Sequence, residues 1–188
     1  MKYILNQREM QAVDRYSIEK IGIPSLVLME RAAAAVADCM KGCLKAGDKV
    51  LAVAGNGNNG ADAVAAARIL YNMGIDAAVY FAGDVKKFSP ELKKQAEIIT
   101  NLNMREYNNT EPDFSGYTWL IDGLFGIGLK RAVEGHFADV IRRMNESGAC
   151  ICAVDIPSGI DAGTGQVLGS CVRADKTVTF GYEKLGHI

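Results

Sequence analysis

The stretch that decides the fold is "KVLAVAGNGNNGADAVAAARIL", residues 49–70, in which a short apolar run meets three glycines and three asparagines before an alanine-rich segment takes over. The first part reads as a buried strand, and "GADAVAAARILYNMG" reads as a helix. Between them Gly55, Gly57 and Gly60 spell G-x-G-x-x-G in strand-to-helix context. In that context backbone N–H groups and a helix N-terminus face a phosphate.

The same rhythm continues outward. "DAAVYFAG", "YTWLIDGLFG", "ACICAVDIPSG" and "KTVTFGYE" read as strands, while "SPELKKQAEIITNL", with Pro90 in its first turn, and "VEGHFADVIRRMNESG" read as helices. Apolar strands separated by helices predict an α/β fold: a Rossmann-like, mostly parallel sheet with helices on both faces. Two helices precede it. Asn6 and Glu9 have capping-box spacing and open the first, which Gly22 and Pro24 stop. Ser25 is expected to cap the second, "LVLMERAAAAVADCMKGCL", whose small residues suit close packing on a flat surface or on a twin. The chain then ends just after a strand, at "FGYEKLGHI", which predicts a bare edge or a missing piece.

With 188 residues, 49% of them hydrophobic, the chain suffices for one domain spanning 1–188 without metal or disulfide support. Its net charge of -1, from 21 basic and 22 acidic residues, gives no broad positive field for nucleic acid or anionic lipid. A small-molecule partner is expected instead. "MKYILNQREMQ" is too polar for a signal-peptide core, and no apolar stretch approaches the roughly 18 residues of a membrane span, so the expected location is cytoplasmic. Five cysteines and two histidines match no zinc spacing.

Three strand ends carry the unusual chemistry: "AGNGNNGAD", "DGLFGIGLKRA" and "VDIPSGID". Ligands of such folds sit outside the carboxyl ends of the strands, so all three are expected to open on one edge. A hydride-transferring domain also needs an acidic residue about 20 residues past the glycines. Here that place falls in "VYFAG", with Asp84 only in the following loop. A P-loop is disfavoured because no Lys-Ser or Lys-Thr follows. Asn58 and Asn59 fit a tight turn, but a carboxamide oxygen is also a hard, neutral ligand. With Asp122 and Ser158 it makes an all-oxygen set of one formal negative charge, suited to a weakly held cation.

These residues carry a resemblance. "EMQAVDRYSIEKIGIPSLVLMERAA", "GNGNNGADAVAAAR", "DGLFGIGL", "VDIPSGIDAGTG" and "DKTVTFGYEKLG" resemble, in order and across nearly the whole chain, the NAD(P)H-hydrate epimerase family, also known as the YjeF N-terminal domain. The resemblance implies interconversion of the 6R and 6S epimers of hydrated NADH and NADPH (NADHX and NADPHX), in functional coupling to a separate ADP- or ATP-dependent dehydratase specific for the S form. It implies a substrate site formed by Asn58, Asn59, Gly60, Ala61 and Asp62, by the loop of Gly126, Ile127, Gly128, Leu129, Lys130, Arg131 and Ala132, and by Asp155. It also implies potassium, one ion per subunit, bound by Asn59, Asp122 and Ser158.

Two departures stand out. The family usually has glycine at Ala61 and Ala63, and its domain commonly runs on beyond the point where this chain reads "KLGHI", which implies a C-terminal cut. Ala61 would cost on the order of 1 kcal/mol if its site required positive φ.

Inverting a hydroxyl-bearing carbon beside a ring nitrogen requires loss and return of the hydroxyl, or opening and reclosure of the ring. Both need a proton shuttle. Asp155, at a strand end beside the "IPSG" turn, is the candidate general acid/base. Asp62 serves equally as a first-turn helix carboxylate, and Lys130 and Arg131 either meet substrate phosphates or are ordinary solvated charge. Rival readings are a non-catalytic nucleotide-binding or scaffold module and a nicotinamide dehydrogenase. The second helix, apolar around much of its circumference, predicts a homodimer through the N-terminal helices.

Overall fold

Residues 3–108 and 110–188 are described by a computed structural model of the chain. Alternation along the strands sorts their side chains onto two faces. Val50, Ala52 and Ala54 of β2 (Lys49–Ala54) join one apolar cluster, and Leu51 and Val53 join the other. The sheet has the order β4-β3-β2-β5-β6-β7 and is parallel throughout. Its remaining strands are β3 (Asp76–Phe81), β4 (Arg105–Tyr107), β5 (Trp119–Gly123), β6 (Cys150–Val154) and β7 (Lys176–Val178). On one face lie α2 (Ser25–Lys41), α3 (Asn58–Asn72) and α4 (Pro90–Asn101); on the other lies α5 (His136–Glu146), with Val140, Ile141 and Met144 buried. Helices thus cover both faces, as the β-α rhythm predicts.

α1 (Gln7–Glu19) opens on the expected capping box: the Glu9 N–H donates to Asn6 Oδ1 (3.0 Å) and the Asn6 N–H to Glu9 Oε2 (2.8 Å). Ser25 behaves differently. Pro24 occupies the N-cap of α2, and the Ser25 hydroxyl instead donates to Glu91 Oε1 across the fold (2.9 Å). The small residues of α2 find their flat partner inside the chain: Ala33, Val36, Ala37 and Met40 are buried in the same cluster as the alanines of α3. Ser89 caps α4 through the Leu92 N–H (3.2 Å), with Pro90 in the first turn.

The C-terminal segment departs from the expected single strand. After β7 the chain leaves the sheet, turns at Gly181 (φ +66°), and adds a two-residue strand, β8 (Glu183–Lys184). β8 pairs in parallel with β1 (Ile4–Leu5), with Leu5 opposite Lys184. The segment after β7 is therefore held by the N-terminal strand. Among the described residues no helix is long and apolar enough to cross a membrane.

Candidate active site

At the carboxyl ends of β2, β5 and β6 the loops open on a cleft of about 800 Å³. Asn56, Gly57, Asn58, Asn59 and Asp62 line it from the first strand end, Leu124 to Arg131 from the second, and Asp155 from the third. Of the expected substrate residues, Gly60, Ala61 and Ala132 do not line this cleft; Gly60 and Ala61 are buried in α3, and Ala132 is exposed.

The glycine fingerprint works here through close approach. Neither Gly55 nor Gly60 has positive φ. A Cβ on Gly55 would lie 2.0 Å from the Leu124 carbonyl oxygen, and one on Gly60 would lie 2.6 Å from that of Gly55. The loops after β2 and β5 therefore touch backbone to backbone. Asn58 and Asn59 are not turn residues but open α3 after Gly57. Ala61 sits in regular helix with its methyl in the core, so the positive-φ cost does not arise.

Asp122, at the end of β5, is fully buried. Its Oδ1 accepts from the Ser158 hydroxyl (2.6 Å) and the Leu124 N–H (3.2 Å), and its Oδ2 from the Ser158 N–H (2.8 Å). Burial pushes its carboxyl up to about 6, against the pull of these hydrogen bonds. Ser158 Oγ also accepts from the Phe125 N–H (2.8 Å) and lies 3.1 Å from the Phe125 carbonyl oxygen. Beside this group Asn59 Nδ2 is buried with no hydrogen-bond partner, and its side chain lies 3.2 Å from where a Cβ on Gly126 would stand. A carboxamide's two ends are assigned from their surroundings, and turned over, the unpartnered atom is an oxygen. Carboxylate, hydroxyl, carboxamide and carbonyl oxygens with one negative charge fit a large monovalent cation.

Asp155 follows β6 in left-handed backbone (φ +68°), which a non-glycine residue adopts at a cost of order 1 kcal/mol or more and which marks functional sites. The surroundings hold it firmly. Its N–H donates to the Val178 carbonyl (2.8 Å), and its Oδ1 accepts from the Thr179 hydroxyl (3.1 Å) and the Phe180 N–H (3.3 Å). Oδ1 also pairs with the ammonium of Lys184, a residue only 1% exposed. The two remaining Lys184 hydrogen bonds go to Thr179 Oγ1 (2.7 Å) and the Phe180 carbonyl (2.9 Å). His187 accepts the Lys184 N–H at Nδ1 (3.2 Å), and its Nε2 lies 2.9 Å from the Asp155 carbonyl, so the proton is on Nε2.

Lys184, Asp14 of α1 and Glu91 of α4 line the cleft although the site reading from the sequence omits them. Lys184 stands inside a motif quoted above, and a lone lysine between "FGYE" and "LG" was its only signal. Burial, then the neighbouring Asp155, raises the Asp14 carboxyl, with Lys184 opposing. Asp62 is raised well above the usual carboxylate range, first by burial and then by Asp155, Asp14 and Glu91. Lys130 and Arg131 are exposed on the cleft rim.

The profile of the family described as "YjeF-related protein N-terminus" matches residues 25–186. The chain belongs to this family. A relative from Weissella koreensis named NAD(P)H-hydrate epimerase is 43% identical over 178 residues, covering 95% of this chain and 80% of that protein. One of the same name from Oenococcus oeni is 42% identical over 188 residues, covering 98% and 88%. The crystal structure of yeast ynu0 superposes with a TM-score of 0.87 over 98% of this chain and 83% of that one, at 19% identity, and so shares this fold.

Proposed function

We propose that this chain is an NAD(P)H-hydrate epimerase, interconverting the 6R and 6S epimers of NADHX and NADPHX. The observation that carries the reading is Asp155: an acid/base group held in left-handed backbone at a strand end, facing a cleft, in a chain over 40% identical to proteins of that name. The cleft suits a nicotinamide nucleotide. It offers Leu28, Met29, Phe125, Ile127 and Phe137 as apolar wall, carboxylates at its floor, and Lys130 and Arg131 at its rim for phosphates. Asn58, Asn59 and Asp62 bound the ligand from α3, and Gly126 to Leu129 from the facing loop.

Asn59, Asp122 and Ser158 are proposed to hold potassium, with the Phe125 carbonyl beside them. Bound there, the ion neutralises the buried Asp122 charge and ties the three strand-end loops together. The chain is also proposed to act in the cytoplasm, as a single unit coupled to a dehydratase specific for the S epimer, and as a homodimer. The dimer surface is drawn from α1, the turn after it and the start of α2, where Tyr16, Ile21, Leu26 and Val27 are exposed, because the rest of α2's apolar face is taken up by α3.

The test supplies mixed 6R and 6S hydrated NADH to a dehydratase specific for S. Adding this chain should let the R form be consumed as well. Asp155→Asn should slow that consumption at least about 100-fold while leaving ligand affinity within a few-fold, because it removes the proton shuttle without emptying the cleft. Stoichiometric binding of NADHX with no epimerisation by the parent chain would instead make it a binding module.

A further inference from the structure

Three carboxylates from three elements, Asp14, Asp62 and Asp155, line the cleft, and one buried ammonium stands among them. That ammonium is fully committed: its three N–H groups go to Asp155, Thr179 and the Phe180 carbonyl. Asp62 has no share in it, and Asp155, Asp14 and Glu91 act on Asp62 as like charges. The other charged groups on the cleft are Glu91, whose Oε1 already accepts from Ser25, and Lys130 and Arg131 on the exposed rim. An ion-paired carboxylate is a proton acceptor; an unpaired one pressed by like charges is a proton carrier.

We propose that Asp62 and Asp155 form a divided pair in which Asp155, tied to Lys184, takes the proton of the substrate's ring hydroxyl while Asp62 delivers a proton to the ring nitrogen. Lys184 is then a positioning residue. The proposal rests on the epimerase reading and assigns Asp62 a chemical role beyond lining the site. Burial and the nearness of Asp155, Asp14 and Glu91 all act to keep a proton on Asp62.

The step balances with no further reactant. As the O–H proton moves to Asp155, the oxygen's electron pair closes a C=O bond and the carbon–nitrogen bond breaks. Its pair goes to the nitrogen, which takes the proton from Asp62. Rotation of the freed aldehyde presents its other face. Closure runs the same transfers backwards: Asp62 regains its proton from nitrogen, nitrogen attacks carbon, and Asp155 returns its proton to oxygen. Both carboxyl groups end as they began. Loss of the hydroxyl as water would instead leave the proton moved from one aspartate to the other after each turnover.

The experiment uses Asp62→Asn, which keeps shape and removes the titration. Epimerisation should fall at least about 100-fold with NADHX affinity within a few-fold. Activity within about threefold of the parent would overturn the proposal. Thermal melts of the ligand-free proteins give a reading that needs no turnover. A carboxyl raised in the folded state binds its proton more tightly there than in the unfolded chain, so it loses stability as pH rises toward its folded value. Asp62→Asn should accordingly gain melting temperature on the parent, and the gain should grow as pH rises above the ordinary carboxylate value of about 4. A difference that stays flat from about pH 4 upward places the proton elsewhere and overturns the proposal, whether or not the parent epimerises. A parent that fails to epimerise but shows the growing gain would refute the epimerase reading while supporting the proton on Asp62. In heavy-oxygen water the product hydroxyl should stay unlabelled through one turnover; full labelling would overturn ring opening.

Discussion

Replacing Lys184 with methionine tests the tie between the C-terminal strand and Asp155. The substitution keeps the aliphatic bulk and deletes the ammonium, leaving Asp155 Oδ1, Thr179 and the Phe180 carbonyl without their common partner. Removing one partner of a buried ion pair costs roughly 3–5 kcal/mol. The Asp155 side chain is 15% exposed and opens on the cleft, so water can reach the stranded carboxylate, which favours the lower end, about 3 kcal/mol. For a chain of this size that is a fall of about 6–12 °C in Tm by calorimetry. The companion variant Lys184→Met/Asp155→Asn carries no stranded charge and should recover much of the loss, a coupling that a double-mutant cycle reads directly. A drop below about 2 °C in the single variant, or a double variant no more stable than the single, would refute the claim that the pair organises this corner.

Asp122→Ala should lower Tm and activity together, and potassium should raise the Tm of the parent but not of the variant; equal potassium-dependent shifts would remove Asp122 from the ligand set. Ala61→Gly, which restores the family's usual residue, should cost about 1 kcal/mol or more in chemical denaturation and bring no gain in activity, because the site is regular helix with its methyl in the core. Sedimentation at micromolar concentration should show a dimer, and Ile21→Lys, at a residue 60% exposed, should convert it to a monomer of unchanged secondary structure. A monomeric parent would show that the exposed apolar side chains of α1 serve another purpose.

The parts of the fold legible in the sequence are those whose residues repeat. β2, β3, β5 and β6 are apolar enough to stand out, and Asn6, Ser89 and Pro90 announce their helices through local chemistry. β4 is not legible, since "REY" is polar at an edge and makes its three pairings only because β3 is there. The two-residue strands β1 and β8 are too short for any period. At the site, Asn59, Asp122 and Ser158 could be grouped from their places at strand ends; Asp122 and Ser158 bond directly, and the Asn59 side chain lies near Gly126. Lys184 could not be. Its function follows from a partner 29 residues earlier and from a turn at Gly181 whose geometry no local pattern encodes. Ser25 shows the converse: a good capping residue whose hydroxyl is claimed by Glu91, a tertiary contact overriding a local preference.

The pairing of β1 with β8 has a consequence for biosynthesis. Leu5 lies opposite Lys184, so residue 5, once made, waits for residue 184 before either is fixed in place. The central strands and their helices can assemble as they are made, but this contact closes a loop running from residue 5 to residue 184, and such non-local closures come late in folding. Since Lys184 brings the counter-charge to Asp155, a nascent chain leaves that carboxylate without it until residue 184 docks. A product truncated before residue 184 therefore keeps much of the cleft's lining and lacks the ammonium that pairs with Asp155.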